Sequence, residues 1–141
     1  MEKKSTGDLS QELMSQPDLS AYVRDNQEFF TEQSIIKLLE QLYERLDITK
    51  AELARRSCMS EVYLHQVFSG RRRSSRDRLL CICFGLEATL EETQEMLRQE
   101  GYAQLYPKRK REAIIAHGIV HHTDLRQLND QLFAEGEKTL F

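Results

Sequence analysis

Between Ser60 and Arg76 this 141-residue chain sets out an unusual run of hydrogen-bonding side chains. Glu61, Val62, Tyr63, His65 and Gln66 fall within one short window, and Gly70 is followed by Arg71, Arg72, Arg73 and Arg76. A glutamine can pair with an adenine edge through two hydrogen bonds, a carboxylate can accept from a cytosine amino group, and a valine can meet a thymine methyl. Tyr63 and His65 can reach bases or phosphates, and the arginines suit the phosphates of a flanking backbone. The stretch Thr49–Arg78 carries eight Lys or Arg against three Asp or Glu, whereas the whole chain is net −3. The local charge opposes the global charge, which describes one basic face on an acidic body.

The elements that must hold those side chains are legible around them. Thr49-Lys50-Ala51-Glu52 has the form of a capping box, in which threonine and glutamate side chains satisfy each other's orphan amides at a helix start. Lys50 and the amides there could hold a phosphate, helped by the helix dipole. The helix this box opens turns Leu53 and Ala54 inward and Arg55 and Arg56 outward. Ser57-Cys58-Met59 makes a turn, Ser60 caps a second helix, and Leu64, Val67 and Phe68 form its inward i, i+3, i+4 set. Gly70 stands where a left-handed residue ends such a helix.

Upstream, Ile35, Leu38, Leu39, Leu42 and Leu46 make one apolar stripe at helical spacing, broken by Asp47 and Ile48. Residues 1–30 are polar; Leu9, Leu13 and Met14, then Leu19, Tyr22 and Val23 after Pro17, predict short helical turns behind a frayed start. Downstream, residues 76–106 and 111–141 align without a gap at an offset of 35. The identities are Arg76/Arg111, Leu90/Leu125, Leu97/Leu132, Glu100/Glu135, Gly101/Gly136 and Leu105/Leu140. Each segment reads as an apolar helix, a turn, an amphipathic helix and a small loop, so the end of the chain reads as two copies of one helical hairpin.

Other candidate chemistry is thinner. His117 and His121 are one helical turn apart with His122 adjacent, but no third ligand with metal geometry is evident, and surface histidines are expected. Cys81 and Cys83 diverge by about 200° on a helix and read as small buried side chains. Three cysteines, Cys58 included, make a poor disulfide framework, and a reducing cytoplasmic setting fits. Lys108-Arg109-Lys110-Arg111 is either an extension of the phosphate-binding face or a solvated helix start. No apolar run reaches the roughly 20 residues a membrane span needs. No Gly-rich phosphate loop, catalytic carboxylate pair or Ser/His/Asp set is present, so neither an enzyme nor a cofactor is expected.

The stretch Lys50–Arg76 resembles the helix-turn-helix of the phage-repressor-like (XRE) transcription regulators. The resemblance is carried by Glu52-Leu53-Ala54, Ser60, Tyr63-Leu64, Gln66-Val67 and Ser69-Gly70-Arg71. Leu105-Tyr106-Pro107, Arg111–Ile115 and Glu135-Gly136-Glu137-Lys138 are similar to the C-terminal part of an uncharacterised bacterial subgroup. The resemblance implies an all-α chain: a polar N-terminal segment (1–31), a five-helix repressor-like domain within 32–106 and a C-terminal helical hairpin (107–141). It implies a sequence-specific regulator of transcription that binds duplex DNA as a homodimer. By resemblance Glu61, Val62 and Gln66 would read bases, and Lys50, Arg71, Arg72, Arg73 and Arg76 would hold phosphates; by residue type and place Tyr63 and His65 join the base readers and Ser60 the phosphate contacts. The resemblance assigns no activity to the C-terminal hairpin; its apolar faces alone make it the candidate for dimerisation or for a protein partner. Two residues depart from the pattern: Cys58 stands where the family usually has Gly, and Glu61 would repel nearby phosphates. Together with the acidic balance they favour an alternative, a protein-interaction adaptor that keeps the fold without reading bases.

Overall fold

The computed structural model describes residues 5–26 and 31–141, the side chains of 31–34 aside, and the frayed start expected at residues 1–4 lies outside them. The described residues form nine α-helices and no strand: α1 (Thr6–Ser15), α2 (Leu19–Asn26), α3 (Thr31–Glu44), α4 (Lys50–Arg56), α5 (Glu61–Phe68), α6 (Arg76–Gly85), α7 (Leu90–Gln99), α8 (Lys110–Val120) and α9 (Leu125–Ala134). The chain is all-α, as the sequence periodicities predict.

Helix α1 starts from a complete capping box between Ser5 and Asp8, yet it buries no side chain, and Leu13, Met14 and Leu19 of the first two helices stay exposed. The stripe on α3 divides as a helix should: Ile35, Leu39 and Leu42 are buried, while Leu38 and Leu46 lie at the margin. The end of that helix is tied to the start of α7 by Arg45, which donates two hydrogen bonds of 2.6 Å to the Glu92 carboxylate. Those bonds hold the Glu92 carboxyl below the usual carboxylate range despite its partial burial. Glu92 also completes the capping box with Thr89.

Helix α6 is the axis of the core. It packs against α4, α7 and α9, and six of its residues (Leu79, Leu80, Cys81, Ile82, Cys83 and Gly85) are buried. A helix covered on all sides needs apolar residues all round. That is why Cys81 and Cys83 are both buried although they point in nearly opposite directions. Burial pushes each thiol up to about 12, so both stay protonated near neutral pH. The core continues without a break from Ile35 and Leu53 through Leu80 to Ile115, Leu128 and Leu140, so α8 and α9 belong to the same packed body as α3–α7.

Candidate nucleic-acid interface

Helix α4 begins at Thr49, whose hydroxyl accepts from the Glu52 amide at 3.1 Å. The expected capping box is only half made. The Glu52 carboxylate turns instead to Arg55 and Arg56, and the hydrogen bond from Arg55 holds its pKa low. The turn after α4 uses Cys58 at φ 53°, and the amides of Cys58 and Met59 close onto the carbonyls of Arg55 and Ala54. A β-carbon in this left-handed conformation costs about 1 kcal/mol or more. The tight reversal nonetheless forms, because the paired closing bonds satisfy the last carbonyls of α4.

Ser60 then caps α5 through the Tyr63 amide at 3.1 Å. Leu64, Val67 and Phe68 face the core, which leaves Glu61, Val62, His65 and Ser69 exposed and Gln66 and Tyr63 half-buried. Val62 is 68% exposed, a large apolar side chain at the solvent end of a short helix. His65 lies with Nε2 3.4 Å from a Glu61 carboxylate oxygen, so the two share one edge of the helix. Gly70 ends α5 at φ 79°, and a β-carbon there would also sit 2.8 Å from Ile36 Cδ1. The left-handed backbone favours glycine there, and any β-carbon would in addition have to push the end of the Ile36 side chain aside. The amides of Arg71 and Arg72 then close onto the Gln66 carbonyl at 3.0 and 3.2 Å, folding the arginine run back beside α5.

The basic residues separate into two groups. Arg72 and Arg78 place their guanidinium carbons 5.2 and 4.5 Å from the centroid of the Tyr63 ring, so that ring carries a cation from the loop and one from α6. Arg71 is exposed and has no side-chain partner among the described residues. Two cations thus meet on the Tyr63 ring of α5, and Arg71 is exposed beside Arg72 in the loop. The others are engaged within the chain. Arg73 stacks over Tyr102 at 4.5 Å, pairs with Glu100 at 3.2 Å and donates to the Glu100 carbonyl. Arg76 donates to the Ala103 carbonyl at 2.9 Å and pairs with Glu112 at 2.8 Å. Lys50 is 21% exposed, with its ammonium 4.0 Å from the Phe68 ring centroid, 4.6 Å from that of Tyr43 and 3.9 Å from Glu40. Sequence reasoning put Tyr63 among base readers and did not name Arg78, since nothing in their spacing shows that loop and helix meet on that ring.

An exposed short helix, a capped tight turn before it and a supporting helix packed behind it make the arrangement by which a compact all-α unit presents one helix to a partner. Residues 37–96 match the family model of a helix-turn-helix domain. That span runs from within α3 to within α7 and contains α4, the turn and α5. Comparison with curated proteins and with solved structures finds no match. Within the matched span, α4, the tight turn and α5 follow one another in helix-turn-helix order, with α6 packed on α4 and α3 on α5. Of the remaining candidates, His117 of α8 and His121, which caps that helix, have ring centroids 4.2 Å apart with their planes tilted by 38°. Cys58 is partly buried, and that burial raises its thiol pKa, with Arg126 and Asp124 of α9 close enough to act on it in opposite senses. The start of α9 thus lies beside the turn.

Proposed function

We propose that the protein is a sequence-specific duplex-DNA-binding transcription regulator of the phage-repressor-like kind, acting in the cytoplasm of a bacterium, with α5 as the recognition helix in the major groove. The observation that carries this reading is the outward face of α5, bearing Glu61, Val62, His65 and Gln66, with Arg72 and Arg78 on the Tyr63 ring beside it and Arg71 exposed in the same loop. A helix of this length fits the major groove, and guanidiniums at its flank would hold phosphates while side chains reach base edges. Gln66 is the adenine reader, Val62 meets a thymine methyl, and Glu61 with His65 selects for an exposed cytosine amino group. No helix among the described residues is long and apolar enough to cross a membrane.

Arg73, Arg76 and Lys50 contribute to phosphate binding only by releasing internal partners, so their main role is to fix the frame. The resemblance also brings an expectation of dimers on paired half-sites about one helical turn apart, and the apolar faces of the C-terminal hairpin make it the candidate contact. The hairpin's inward face is already used against α6 and α7, so pairing through it would have to use the outward side, where Val120, Phe133 and Phe141 are exposed.

The adaptor alternative draws on the same charge pattern: few free cations and a carboxylate at the tip of α5 suit a protein partner. Two substitutions separate the readings. In the regulator, Arg71→Ala weakens binding to all duplex sequences alike, while Gln66→Ala leaves non-specific affinity in place and relaxes discrimination at one base pair, by about 1–3 kcal/mol. If neither substitution changes duplex binding, α5 does not read DNA and the adaptor reading stands.

A further inference from the structure

The two C-terminal hairpins correspond at an offset of 35 residues in their internal bonds as well as in their residues. Arg76 donates to the carbonyls of Ala103 and Gln104, and Arg111 donates to those of Lys138 and Thr139. The Leu105 amide donates to the Gln94 side chain at 2.7 Å, and the Leu140 amide to the Asn129 side chain at 2.7 Å. Glu87 and His122 take the left-handed conformation after the first helix of each hairpin, and Gly101 and Gly136 take it after the second.

The contacts between the hairpins are also paired, and in a particular sense. Arg76 of the first hairpin meets Glu112 of the second at 2.8 Å, and Arg111 of the second meets Asp77 of the first at 3.1 Å. Asp77 and Glu112 are themselves counterparts at the offset of 35. Likewise α6 packs on α9 and α7 packs on α8, which is one contact seen from its two sides. Repeats stacked head to tail meet through two different surfaces. Contacts in which i meets j and j meets i belong to a two-fold relation, as in a symmetric dimer. The rotation that carries α6–α7 onto α8–α9 carries α8–α9 back onto α6–α7, about an approximate axis near the starts of α6 and α8.

We infer that α8–α9 is an internal partner: it takes, within one chain, the place that the α6–α7 hairpin of a second copy would take in a two-fold dimer. With this two-fold face closed from within, the protein is a monomer that engages a single, asymmetric half-site of duplex DNA, and pairing through the outward Val120, Phe133 and Phe141 would contradict it. The closure rests on packing alone; the half-site rests in addition on the DNA-binding reading. The face is fully used, since Ile115, Ile119, Leu128 and Leu132 share one core with Leu79 and Ile82. Gly118 brings α8 so close that a β-carbon there would lie 2.7 Å from Leu128 Cδ1 and 3.3 Å from the Phe84 ring. No second copy can enter without displacing the hairpin.

Sedimentation of the full chain from low to high micromolar concentration tests the closure. The expected mass is 16.6 kDa throughout, and a mass of twice that, rising with concentration, overturns it. In Arg111→Glu two carboxylates face each other across the axis, and adding Asp77→Arg restores an opposite-charge pair in reversed order. The single variant should lose thermal stability or begin to pair with concentration, and the double variant should recover in part, since the bonds from Arg111 to the Lys138 and Thr139 carbonyls stay lost; a single variant unchanged in both respects, or a double variant no better than the single, overturns the holding role of the reciprocal pairs. Selection from a random-sequence duplex pool tests the half-site. One asymmetric block is expected, and an enriched inverted pair with centres about 10 base pairs apart overturns it. Failure to enrich any sequence defeats the DNA-binding reading and the half-site with it, while the mass measurement still decides the closure.

Discussion

Salt dependence counts the cations that reach DNA, and the two groups of basic residues predict how many that is. Binding to duplex DNA has a log–log slope on salt of about −0.9 per phosphate neutralised. With Arg71, Arg72 and Arg78, none of whose guanidiniums has a carboxylate or carbonyl partner among the described residues, as the available set, the slope is about −2.7, and raising salt from about 50 to 200 mM weakens binding by about 40-fold. If Lys50, Arg73 and Arg76 left their internal partners to join them, the slope would be about −5.4 and the loss over the same range about 2,000-fold. Fluorescence-anisotropy titrations of a labelled duplex at several salt concentrations measure this directly. Replacing Arg78 by Ala should then reduce the slope by about one unit, whereas Arg73→Ala should leave it unchanged. A slope near −5, or a slope insensitive to Arg78 and sensitive to Arg73, refutes the division of the arginines into free and engaged groups.

Other consequences follow from the same contacts. Arg76→Ala leaves the buried Glu112 carboxylate without its ion pair and should destabilise the fold by about 2 kcal/mol, read as a lower midpoint in urea. Although burial raises the Glu112 pKa, the Tyr106 amide and Arg76 outweigh it and hold the carboxyl below the usual range. Its contribution is therefore complete above the unfolded carboxylate value of about 4.3 and fades as pH falls toward the lower folded value. Glu112→Gln should flatten stability between about pH 5 and pH 3 relative to the unaltered chain. His122 holds a left-handed conformation (φ 51°) with an exposed side chain. His122→Gly should accordingly stabilise by about 1 kcal/mol and raise the melting temperature by about 3–5 °C.

The local plan of the helix-turn-helix is plain in the sequence because caps, turns and helix stops are short-range chemistry. Thr49, Ser60 and Gly70 each act within a few residues of where they stand, and the turn at Ser57–Met59 follows from the spacing of the two helices, whereas its left-handed Cys58 is implied only by the family resemblance. What the sequence does not display is set at long range. Arg73 and Arg76 look like Arg71 and Arg72 in a row of basic residues, yet their partners lie 27 to 36 residues further on, in Glu100, Tyr102, Ala103 and Glu112. Lys50 reads as a free cation at a helix start until Tyr43 and Phe68 converge on it from other helices. Periodicity likewise shows that α8 and α9 each have an apolar face, but not that α6 and α7 cover those faces reciprocally. Even Glu52 departs from its local motif because two arginines on its own helix compete for the carboxylate.

The most direct test of α5 as a DNA-reading helix is a titration of the intact chain against mixed genomic duplex fragments at about 50 mM salt, low enough that three phosphate contacts suffice for non-specific binding. Saturable binding with a Kd in the micromolar range or tighter is the predicted result. No measurable binding under those conditions would contradict it.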